Sequence, residues 1–184
     1  MANYREVNMS IDLCTEIKSP LKVSKFLYYM NYVAKEITGL ECVPKISISI
    51  YENGLHKDIS EEYIGGVSEI YNIEMEGFKE KVTLAFSNFS GQDFGYYKFS
   101  TILVSADLHS PVAAIDYFLA ACAIAAIALI DKSTVEDSLL FWTDFGVQSA
   151  EEFIERVRYN GVCDNIEEII KKIYSMRHND NLYN

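Results

Sequence analysis

The run from Tyr117 to Ile130 constrains the fold of this chain more than any other segment. It holds 14 residues with no charge, and Asp116 and Asp131 bracket it. A helix of this kind is apolar around most of its circumference, so it must be surrounded. A bilayer would need roughly 20 such residues, more than are present. Much of the run is alanine, which lets neighbouring elements come close. We therefore expect a central helix from Ser110-Pro111 to about Ile130, buried inside a soluble domain with no membrane contact. At 184 residues and 49% apolar content, the chain suits one globular domain over residues 1–177 with a polar, frayed tail over 178–184.

The remaining pattern is mixed. Val7, Met9, Ile11 and Leu13 alternate with polar residues and predict a first strand. Ser19-Pro20 predicts a helix start, with Leu21, Phe26, Leu27, Met30, Val33, Ala34 and Ile37 as its apolar stripe and Gly39 as its stop. Ile46, Ile48 and Ile50 form the next alternating set, followed by a tight turn at Asn53-Gly54. The polar residues 55–66 read as a mobile loop. A three-strand meander follows: Tyr71, Ile73 and Met75; then Val82, Leu84 and Phe86; then Tyr97, Phe99, Thr101 and Leu103. Two helices close the chain, opened by Ser149-x-x-Glu152 and Asp164-x-x-Glu167. The expected fold class is α+β. An antiparallel sheet of about five strands packs on the buried Ala-rich helix, with further helices on the N- and C-terminal sides.

Charge limits the partners. The net charge is −11, concentrated in two blocks, −6 over residues 52–80 and −7 over 131–168. Nucleic acid binding requires clustered Lys and Arg; the best stretch, Lys18, Lys22 and Lys25, reads as a solvated helix face. No nucleic-acid partner is expected, and the acidic blocks suit a basic one. Cys14, Cys42, Cys122 and Cys163 form no C-x-x-C pair. With no signal peptide at the N-terminus, they read as free thiols in a reducing cytoplasm.

Motifs for chemistry are missing. Asp93-Phe94-Gly95 and Asp144-Phe145-Gly146 match a kinase tripeptide without its phosphate loop, catalytic loop or strand lysine. His56, His109 and His178 are widely separated and have no partner at metal-ligand spacing. No cofactor, metal or catalytic residue is expected. Glu151-Glu152 and Glu167-Glu168 lie in first helical turns, where acids favour the helix dipole. Glu61-Glu62, in a loop, has no such structural reason.

Several segments together resemble small bacterial immunity proteins, the partners of toxins in contact-dependent growth inhibition and related competition systems. They are Ile102-Leu103-Val104, the run Pro111 to Ala128, Ile130-Asp131, Phe141-Trp142 and Ser149-Ala150-Glu151-Glu152-Phe153, spanning about residues 100–160. Such proteins share no catalytic residues. The resemblance implies a non-enzymatic, cytoplasmic protein that neutralises a basic toxin, such as a nuclease, by direct contact. The expected contact surface is Glu61, Glu62, Glu69, Glu74 and Glu76, with Asp93 and Asp137 as further exposed acids and Tyr63, Tyr71 and Tyr96 as aromatic anchors. Two alternatives stand beside it: a small-molecule-binding domain or enzyme whose site is formed by loop 52–66 and His109, and a homodimer or larger homo-oligomer that buries its aromatic face.

Overall fold

The computed structural model describes residues 11–52, 55–59, 62–65, 69–88, 102–107, 114–137, 143 and 145–178. Ten strands and four helices are assigned among them. In chain order they are β1 (Ile11–Ile17), β2 (Leu21–Lys22), α1 (Val23–Thr38), β3 (Ile46–Glu52), β4 (Leu55–Asp58), β5 (Tyr63–Ile64) and β6 (Glu69–Met75). Then come β7 (Lys81–Asn88), β8 (Ile102–Asp107), α2 (Ala114–Asp131), β9 (Thr134–Glu136), β10 (Val147–Ser149), α3 (Ala150–Val157) and α4 (Ile166–His178).

The class is α+β, but the main sheet is larger than the alternation predicted. It has eight strands in the order β10-β9-β1-β8-β7-β6-β3-β4, with every pairing antiparallel. The extra strands are short or polar. β9 and β10 have three residues each, too few to show a period, and β4 carries one apolar residue. β4 occupies part of the expected loop 55–66 and pairs with β3, with Glu52 opposite Leu55; Asn53 and Gly54 lie outside the described residues. Val7, Met9 and 97–101 lie outside the described residues.

Alternation then sets the faces. Leu13 and Ile17 of β1, Ile46 and Ile48 of β3, Tyr71, Ile73 and Met75 of β6, and Val82, Leu84 and Phe86 of β7 are all buried. Against this side lie α1 and α2, packed on each other. α3 and α4 pack on α2 in turn, and α3 also meets β9 and β10. Helix α2 thus has the sheet on one side and three helices on the others. Ile115 and every residue from Tyr117 to Ala128 are buried, as the apolar run requires. Its Cys122 thiol is pushed well above the ordinary thiol range by burial.

Two helix starts differ from expectation. Ser19-Pro20 does not open α1. Leu21 and Lys22 first pair with Ile64 and Tyr63 as a separate two-stranded sheet, and the Val23 N–H donates to the Glu62 carbonyl at 2.9 Å. That bond serves a first-turn donor, and Lys22 takes the N-cap position without a side-chain cap. Gly39 ends α1 as predicted, in the left-handed region at φ 72 with its N–H on the Lys35 carbonyl. Helix α4 is capped by Asn165 rather than Asp164: Asn165 Oδ1 accepts from the Glu168 N–H at 3.2 Å. The Ser149–Glu152 capping box forms reciprocally, as the sequence indicates.

Candidate protein-binding surface

The structure separates the ten expected contact residues. Tyr71 is 2% exposed and meets Phe86 edge-on, ring centroids 5.5 Å apart. It shares the inward phase of Ile73 and Met75, so it is a core residue and not a surface anchor. Asp137 is also buried, which corrects its reading as an exposed acid. Its Oδ2 accepts from the Thr143 N–H at 2.8 Å and its own N–H donates to the Gly146 carbonyl at 2.7 Å, so it pins the segment after β9.

The other described members are accessible or lie on strands. Glu62 pairs with Lys57 at 2.9 Å, both side chains about half exposed. Tyr63, on β5, is 65% exposed. Glu74 faces Lys81 across β6 and β7 and pairs with it at 2.9 Å. Such surface pairs contribute about 0–1 kcal/mol each. Glu69 opens β6 opposite Phe86. Glu61, Asp93 and Tyr96 lie outside the described residues, as does His109.

Glu76 stands apart because it shares a groove with other acids. It sits in the turn between β6 and β7, where Gly77 adopts φ 89 and the Glu76 N–H donates to the Lys45 carbonyl at 2.9 Å. The turn lies beside the start of α4. Glu76, Phe78, Lys79 and Glu80 line one wall of a groove of about 460 Å³; Asn165, Ile166 and Glu167 line the other, with Pro44 at the end. A smaller recess of about 130 Å³ shares Phe78, Glu80 and Glu167 and extends to Ile115, Ile170 and Lys171. The groove and recess are therefore lined by apolar side chains and by three carboxylates, with Lys79 and Lys171 among them.

Its electrostatics follow from its neighbours. Glu80 Oε2 accepts from the Lys79 N–H at 3.1 Å, which turns the carboxylate back on the connection that precedes β7. Glu167 and Glu168 occupy the first turn of α4, where the helix dipole favours negative charge. Glu167 accepts from Lys171 at 2.6 Å, and that hydrogen bond and charge hold the Lys171 ammonium above its ordinary value. Among the described residues Glu76 makes no ion pair. Such a groove suits a Lys or Arg side chain, with apolar lining for its aliphatic stem and carboxylates for its cation.

Sequence reasoning found Glu76 but neither Phe78, Glu80 nor the place of Glu167 in the groove. The groove forms only where α4 comes beside the β6–β7 connection, and Glu167 already had a structural reason to be acidic. The only available signal was that Glu80 closes the acidic block 52–80. Among the described residues, no group of three or more His, Cys, Asp or Glu side chains is placed to hold a metal ion. No family model matches the chain, and searches of curated proteins and of solved structures found no match.

Proposed function

We propose that this protein is a non-enzymatic inhibitor that binds a basic protein domain, the toxin of a contact-dependent competition system, and neutralises it in the cytoplasm. The observation that carries the reading is the groove lined by Glu76, Glu80 and Glu167 together with Phe78. A basic active-site cleft, such as that of a nuclease, carries Lys and Arg positioned for phosphates. Carboxylates on a preformed rim can occupy those positions and deny them to nucleic acid. The excess negative charge draws the toxin in and sets the association rate, while apolar contacts of the Phe78 type determine how long it stays.

The test is a charge reversal, Glu76→Lys with Glu80→Lys, in a strain expressing the toxin encoded immediately upstream. The pair should slow association by roughly tenfold at low salt and weaken protection, with the melting temperature unchanged. Equal association rates for the variant and the parent would remove the groove as the contact surface.

A further inference from the structure

A second feature, at the opposite end of the strand order from β4, deepens this reading. Phe145 is 51% exposed and Val147 is 63% exposed. Both belong to the segment that enters β10, the terminal strand of the sheet. Large apolar side chains in surface segments are ordinarily mobile, yet this ring is fixed. The Arg156 guanidinium lies 3.7 Å above its centroid. Arg156 also donates to Gln148 Oε1. Gln148 Nε2 donates to Thr143 Oγ1 at 2.7 Å and to the Phe145 carbonyl at 3.1 Å. Thr143 Oγ1 donates to that same carbonyl at 3.0 Å, and Asp137 holds the Thr143 N–H. Asp137, Thr143 and Gln148 are all buried.

A buried polar network therefore positions a side chain that is itself left in solvent. In a core, such a network would fix packing; here it fixes a protruding aromatic. The entropy of ordering that ring is already lost in the free protein, which favours a tight complex. Aromatic and Arg side chains are the residue types enriched at the centres of protein interfaces. The surroundings are acidic. Val147 lies opposite Glu136 on β9, and the chain runs directly into α3, where Glu151, Glu152 and Glu155 are exposed.

We infer that Phe145, clamped by Arg156 beside Val147, is an anchor that inserts into an apolar pocket rimmed by Lys and Arg on the basic partner protein. This rests on the inhibitor reading and adds a second apolar contact to that of Phe78. Association is steered by the acids, and Phe145 shares in slowing dissociation.

The test uses the full chain and Phe145→Ser, with Phe145→Tyr as the conservative variant, against the immobilised product of the upstream gene. Because the ring is half exposed, Phe145→Ser should lower the melting temperature by only a few degrees, the loss of its contact with Arg156. It should weaken binding at least about tenfold, chiefly through faster dissociation, and Phe145→Tyr should restore most of the affinity. If the parent binds and Phe145→Ser binds within about twofold of it, the anchor is wrong and the inhibitor reading stands. If the parent does not bind, the inhibitor reading loses its partner, and selection from a displayed random-peptide library decides the anchor. Enrichment of peptides that combine apolar residues with Lys or Arg, and that lose binding to Phe145→Ser, keeps it. Peptides indifferent to Phe145, or no enrichment, overturn it.

Discussion

Replacing Thr143 by valine should destabilise the protein by about 2 kcal/mol, although valine has the same shape and leaves no cavity. The Thr143 hydroxyl accepts from Gln148 Nε2 at 2.7 Å and donates to the Phe145 carbonyl at 3.0 Å. A neutral hydrogen bond contributes about 0.5–1.5 kcal/mol net, and stranding a buried partner costs about 1–3 kcal/mol. Gln148 Nε2 keeps the Phe145 carbonyl at 3.1 Å, so its desolvation penalty is partial, which places the total near the middle of that range. For a chain of 184 residues this lowers the melting temperature by about 4–8 °C. Thr143→Ser is the control. It keeps the hydroxyl and removes one buried methyl, for about 1 kcal/mol. Combining Thr143→Val with Gln148→Leu replaces both partners by apolar groups, so the double variant should be more stable than the sum of the single losses by about 1–2 kcal/mol. The assay is thermal and urea unfolding followed by circular dichroism. If Thr143→Val unfolds with Thr143→Ser, and the double variant is strictly additive, the network does not hold this segment.

Three further outcomes follow from the packing and the caps. Ala125→Leu, in the middle of α2 where every face meets protein, should lose about 1–3 kcal/mol in urea unfolding by overpacking; unchanged stability would mean the helix is not closely surrounded. Ser149→Ala should destabilise by about 1 kcal/mol at neutral pH. Hydrogen bonds from the Ser149 backbone and hydroxyl hold Glu152 below its ordinary value. Its contribution is therefore present above the unfolded carboxylate range and fades as pH falls through the folded value, so the gap between parent and Ser149→Ala should narrow on acidification. In thiol labelling of the native protein, exposed Cys42 should react first and buried Cys122 last; early modification of Cys122 would contradict the burial of α2.

The legible parts of the fold were those with a period. The isoleucines of β3, the alternation of β6 and β7, the apolar run of α2 and the Ser149 capping box each express a local rule that tertiary structure also satisfies. The short strands β2, β5, β9 and β10 do not. Leu21–Lys22 becomes a strand because Tyr63–Ile64 lies beside it, and nothing within either pair reports that. The same pairing displaced the start of α1 from Ser19-Pro20, a local signal overridden by a neighbour. The candidate site was half legible. Glu76 and Glu80 lay in one acidic block at the β6–β7 connection, but Glu167 joins them only through the approach of α4. Tyr71 was misplaced although its position in register with Ile73 and Met75 had already assigned it inward. Asp137 was misplaced because an acid after a short strand can turn in to hold a loop as readily as it can face water. Asp144-Phe145-Gly146 resembled a nucleotide-site motif, whereas Phe145 emerges as an exposed ring under Arg156.

The central claim is that an acidic surface draws in a basic toxin. The most direct measurement is the association rate of the full chain with the product of the gene immediately upstream, taken at low and at high salt. The account predicts a tight complex whose on-rate falls steeply as salt rises while its off-rate changes little. No association at either salt, or an on-rate indifferent to salt, would contradict it.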